Sequence, residues 1–112
     1  MSQEKKIKLS MEEIVNNLET NLGCIASDKI TVDGMKVGHM FRDDPDNDRD
    51  SGWQFFSGTE TDEYVDDEEN LAIYALNTIA NYDPAIIPYL HLPIGSELER
   101  IAGTDKFNVI PR

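Results

Sequence analysis

The residues best able to do chemistry in this chain are two runs of carboxylates. Asp43, Asp44, Asp46, Asp48 and Asp50 crowd the stretch DDPDNDRD, and Glu60, Asp62, Glu63, Asp66, Asp67, Glu68 and Glu69 follow. From Asp43 through Glu69, 12 of 27 positions are acidic, and Arg49 alone offsets them. Such oxygens can accept charge-assisted hydrogen bonds from lysine or arginine, or coordinate a hard cation. A calcium loop read from Asp44 fails on chemistry: its sixth position is Arg49 where a sharp turn needs glycine, and its twelfth is Phe55 where a bidentate glutamate is needed. The remaining reading is electrostatic, with Trp53 and Tyr64 as apolar anchors beside the acids if they reach the surface. Trp53 and Phe55 alternate opposite Gln54 and Phe56, so an aromatic core explains Trp53 equally well.

Other reactive side chains are sparse. Cys24 is the single cysteine, so it forms no internal disulfide and reads as a small buried hydrophobe. His39 sits between Val37 and Phe41 in strand projection, as a core or boundary histidine would, and no spacing ties it to His91. Neither a catalytic constellation nor a cofactor or metal motif is present, so no residue is assigned to those roles.

Composition narrows the partners. With 22 acidic and 10 basic side chains the formal charge is −12, which repels nucleic-acid phosphates and anionic lipid and speeds encounter with a basic protein. No interval approaches the roughly 20 apolar residues of a membrane span, and MSQEKKIKLS is not followed by a signal-length apolar segment. Cytoplasmic residence is the expectation.

The elements that must carry these residues make a small α+β domain over residues 10–112, with residues 1–9 as an arm or edge strand. Ser10 and Glu13 form a capping box ahead of Met11, Ile14, Val15, Leu18 and Leu22, predicting a helix over Met11–Asn21 that ends at Gly23. Strands are predicted at Cys24–Ala26, Met35–Arg42, Trp53–Phe56, Ala72–Tyr74, Glu97–Ile101 and Phe107–Ile110, with a tight turn at Asp33-Gly34. A helix is predicted near Leu76–Asn81, and Asp83-Pro84 opens another turn of helix that Pro88 keeps short. The expected architecture is a small curved, mostly antiparallel sheet packed with the N-terminal helix and short C-terminal helices. If the strand at Trp53 folds both acidic runs toward one end, their fields add over a single face.

The ordered set Cys24-Ile25-Ala26-Ser27, Asp50-Ser51-Gly52-Trp53, Phe56-Ser57-Gly58, Asn77-Thr78-Ile79-Ala80 with Asn81-Tyr82-Asp83-Pro84, and Pro93-Ile94-Gly95-Ser96 resembles a bacterial family first described as domain of unknown function 2185. The resemblance spans Gly23 to Arg100. That family is grouped with proposed immunity proteins of polymorphic toxin systems, so the resemblance implies inhibition by protein–protein binding and transfers no catalytic residue. Together with the charge, it predicts a non-enzymatic acidic binding module that masks a basic surface of a toxin. The alternatives are a divalent-cation-binding regulatory domain and a small hydrolase using a histidine–carboxylate pair.

Overall fold

The computed structural model of the chain describes residues 9, 14, 18, 20 and 22–111. The arm at residues 1–9 and the helix expected over Met11–Asn21 fall largely outside them.

Six strands form one sheet: β1 (Gly23–Ser27), β2 (His39–Arg42), β3 (Asp50–Phe56), β4 (Leu71–Ala75), β5 (Glu97–Arg100) and β6 (Phe107–Val109), in the order β4-β1-β3-β2-β5-β6. Four pairings are antiparallel, and β1 with β3 is the parallel exception. The α+β class and the mostly antiparallel sheet therefore hold. Among the described residues three short helices accompany it, α1 (Asp28–Thr31), α2 (Asp62–Asp66) and α3 (Leu76–Tyr82), with 3₁₀ turns at Glu68–Asn70 and Pro84–Tyr89. None is long and apolar enough to cross a membrane.

Local chemistry accounts for where these elements start. The Ser27 hydroxyl accepts the Lys29 N–H and caps α1, and Thr61 does the same for Tyr64 at the head of α2. Neither helix is anticipated from the sequence, because a capped turn of four or five residues is too short to show a 3.6-residue period. Asp83 caps the Pro84–Tyr89 turn through the Ala85 N–H, with Pro84 at its first position as expected. Gly52 has φ +85°, and a Cβ there would lie 2.0 Å from the Asp43 carbonyl oxygen. Only glycine lets β3 pass this close to the end of β2, where the Asp43 N–H donates to the Gly52 carbonyl at 2.8 Å.

Alternation divides the sheet into two faces. Cys24, Ala26, Met40, Trp53, Phe55, Leu98 and Phe107 point into the core, where Ile30, Leu76, Ile79, Ala80 and Ile86 cover them. Each large apolar side chain removed from water contributes about 1.5–3 kcal/mol, so this layer dominates the stability. The strand predicted from Met35 begins only at His39: Met35 and Lys36 are exposed, and Val37 is buried ahead of the first ladder residue. A Cβ on Gly38 would fall 2.1 Å from the Ser57 carbonyl oxygen, so the chain crosses β3's exit there with no room for a side chain.

Candidate functional site

The second face of the sheet carries the candidate site. Registers set His39 opposite Phe56 and Phe41 opposite Gln54 across β2 and β3, and His39 opposite Glu99 across β2 and β5. Since a strand alternates its side chains, His39, Phe41, Gln54, Phe56, Glu97 and Glu99 all project away from the core. The Phe41 and Phe56 rings lie nearly parallel, 10° apart in plane and 5.9 Å between centroids, and His39 tilts against both. Above these rings is a cavity of about 730 Å³, walled by the Ser57–Glu60 turn, Val65 of α2, Leu71 of β4, Glu99 of β5 and Ala102 beyond it.

Polar groups line its rim. His39 Nε2 meets Glu97 Oε2 at 2.7 Å. Glu60 is half-buried and receives the Ser57 and Gly58 N–H groups at 2.8 and 2.9 Å. Burial alone would push its carboxyl up, but hydrogen bonds from the Ser27 hydroxyl and from the Ser57 backbone outweigh that and hold it below the ordinary glutamate value. A depressed carboxyl adds stability that is present above the unfolded pKa and is lost as pH falls through the lower folded value. Glu60→Gln is therefore expected to destabilise the protein by about 1 kcal/mol at pH 7, a figure reduced for partial exposure. The loss should shrink near pH 3, and urea melts at the two pH values measure it.

Arg100 borders the cavity at the end of β5, but its guanidinium turns to the core side of the sheet. It pairs with Asp83 and Asp105 and donates to the Val37 and Thr104 carbonyls. Glu99 is exposed and has no ion-pair partner among the described residues.

The acidic residues singled out in the sequence fall at two places. Asp43, Asp44, Asp46 and Asp48 are exposed in the connection between β2 and β3, and Asp50 is half-buried at the start of β3. Asp50 braces the loop from within, accepting the Asp46 and Gly52 N–H groups, and Asp43 accepts that of Asp44. With these acceptors turned onto backbone, no three His, Cys, Asp or Glu side chains among the described residues converge as metal ligands would. Asp62, Glu63, Asp66 and Asp67 are exposed on and after α2, and Asp67 also caps the 3₁₀ turn through the Glu69 N–H. Tyr64 is half-buried, its ring 5.1 Å from the Lys29 ammonium. Burial pushes its phenol up, against a hydrogen bond with Ser27 and with the charges of Asp28, Asp33 and Glu60.

The condition for a shared acidic face is not met, and the surface reading of Trp53 needs correction. The acidic runs do not share one end of the sheet. The first borders Asp50 and Gly23, whereas the second leaves Phe56 and returns at Leu71, which pairs with Ser27. The length of β3, roughly 20 Å at strand spacing, separates them. That exceeds the screening length of about 8 Å at physiological salt, so their fields do not reinforce over a common face. Trp53 is 1% exposed, stacked on Phe55 with its indole N–H donating to the Leu90 carbonyl at 3.2 Å. It is an interior residue, as the aromatic-core reading has it, and not a rim anchor.

Cys24 lies in the core layer, on the opposite side of the sheet from His39; burial, with the Asp50 charge, pushes its thiol far up. His91 is exposed in the turn after Leu90, and it is Glu97 that His39 meets. Sequence reasoning missed Phe41, Gln54, Phe56 and Glu99 as a group. Its one signal was an aromatic, Phe56, on the strand face opposite Trp53 and Phe55.

Among protein-family models, one described as Immunity protein Imm33 domain matches residues 24–110. The match agrees with the grouping implied by the motifs. No curated protein and no solved structure matches the chain.

Proposed function

Because this chain belongs to the Imm33 immunity protein family, we propose that it is a non-enzymatic inhibitor that binds a toxin in the cytoplasm and covers a basic part of its surface. The family match over most of the chain carries the reading. The acids beside the cavity support it: Asp62, Glu63, Asp66 and Asp67 stand exposed on the segment that contributes Val65 to the cavity wall. An apolar centre with a charged rim is the usual anatomy of a protein interface. Asp43, Asp44, Asp46 and Asp48 lie at the far end of β3, and on this reading they engage the toxin less directly than the acids of α2. The identity of the toxin is set by whatever basic surface fits this rim.

Growth of cells expressing a toxin from the same organism, with and without this chain, tests the proposal. Protection is expected from the wild type. Neutralising Asp62, Glu63, Asp66 and Asp67 together should slow association by about tenfold at low salt, with dissociation changed far less. The same treatment of the first loop should have a smaller effect. Failure of the wild type to protect against any toxin of its own cell would end the reading.

One observation favours a second reading. His39 and Glu97 form a histidine–carboxylate pair at the rim of a cavity, as a small hydrolase would need. The sole cysteine is on the wrong side of the sheet to be its nucleophile, and the Ser57 hydroxyl is bonded to that of Thr59. Turnover separates the readings: a hydrolase cleaves a chromogenic ester and loses that activity in His39→Gln, whereas a binder shows no turnover in either form.

A further inference from the structure

The concave face has more definite chemistry than an acidic surface in general. Its floor is the near-parallel pair Phe41 and Phe56, Gln54 offers an amide beside them, and the exposed Glu99 carboxylate at the rim has no ion-pair partner among the described residues. Arg100, the next residue along β5, turns its guanidinium to the opposite face of the sheet, onto Asp83 and the Phe107 ring, and so does not balance that charge. Glu60 keeps its carboxylate ionised through the turn it holds. An aromatic floor under an uncompensated carboxylate suits a cation that is flat, weakly hydrated and able to lie on a ring face while donating sideways. That describes guanidinium far better than ammonium.

Resting on the toxin-binding reading above, we infer that this face receives an arginine side chain of the toxin, its guanidinium lying over Phe41 and Phe56 with Glu99 as counter-ion and the Gln54 carbonyl as acceptor. The arginine displaces water from the ring faces as it enters, which strengthens both the cation–π contact and the ion pair relative to their values at an open surface. The pocket thereby supplies the buried anchor at the centre of the interface, and the acids of α2 form its solvated rim.

The test is a solution NMR titration of the full chain with two peptides, acetyl-Ala-Arg-Leu-Ala-amide and the same peptide carrying uncharged citrulline in place of arginine. The arginine peptide should shift the Phe41 and Phe56 ring signals and the Gln54 amide, saturating near ~1 mM as a single anchor would. The citrulline peptide should bind about tenfold more weakly, because it keeps the shape and loses the charge. Glu99→Gln, an exposed substitution, should weaken the arginine peptide about threefold, and Phe41→Leu should do likewise. Equal binding of the two peptides, or shifts confined to residues 43–50, overturns the inference. Broadening of the same signals with protein concentration alone would identify a second copy of the chain as the occupant and also overturn it. These outcomes leave the inhibitor reading standing, since that reading falls only if the wild type gives no protection in cells.

Discussion

Replacing Arg100 with methionine is expected to destabilise the protein by about 3–5 kcal/mol, the cost of leaving a buried carboxylate without its cation. Asp83 is 2% exposed. One of its oxygens accepts the Val37 N–H at 2.9 Å and meets the Arg100 guanidinium, and the other accepts the Ala85 N–H. Arg100 in turn donates through Nε to the Val37 carbonyl at 2.7 Å and stacks over the Phe107 ring. One pair thus ties three pieces of chain together: the 3₁₀ turn after α3, strand β5, and the entry to β2. For a domain of this size the loss corresponds to a fall in melting temperature of roughly 12–20 °C. Urea unfolding of the variant measures it, and a loss under about 1 kcal/mol would place the pair among solvent-screened surface contacts. Combining Arg100→Met with Asp83→Asn should recover part of the stability, because the buried charge is removed along with its partner. The same pair holds Val37 and Gly38, which lead into His39, so the single variant should also loosen the wall of the cavity. Peptide binding there is expected to weaken before the global transition is reached.

Much of this architecture is legible in the residues themselves. Cys24–Ala26, Trp53–Phe56 and Phe107–Ile110 sit inside or against observed strands because β-branched and aromatic residues bounded by turn residues leave few alternatives. Asp83-Pro84 announces its helical turn through one side chain and one fixed φ. What the sequence hides is pairing. The parallel contact of β1 with β3, and the insertion of β4 outside β1, join segments tens of residues apart, and no local pattern records which edge a strand will find. The candidate site depends on that pairing. Glu97 meets His39 across 58 residues of chain, and Glu99 comes opposite His39, at the wall of the same cavity, only because β5 adds beside β2. The acidic runs were conspicuous for the opposite reason, being local in sequence. Their separation by the length of β3 shows that closeness along the chain is a poor guide to a shared electrostatic face.

Trp53→Ala is expected to cost about 3–5 kcal/mol, whereas Trp53→Phe should cost about half as much. The alanine variant empties the volume of an indole between Phe55 and the Arg42 guanidinium, which lies 5.9 Å from the ring. It also leaves the Leu90 carbonyl without the indole N–H, a loss that phenylalanine shares while keeping most of the packing. Arg42 would feel the change too, since its side chain bonds the Ser51 and Leu92 carbonyls along the edge of that same ring. Thermal melts of the two variants give the ordering directly. Binding distinguishes this interior role from the surface role that the position beside an acidic loop suggests. A surface anchor would lose most of its affinity on truncation to alanine with the melting temperature nearly unchanged. An interior residue does the reverse, so Trp53→Phe, studied well below its midpoint, should bind a partner as tightly as the wild type. Recovery of full stability together with loss of binding would move Trp53 back to the interface and require the sheet to open there. The burial of its ring and its hydrogen bond to Leu90 place Trp53 in the interior, and in the arginine-binding proposal the aromatic contact comes from Phe41, on the other face of the same sheet.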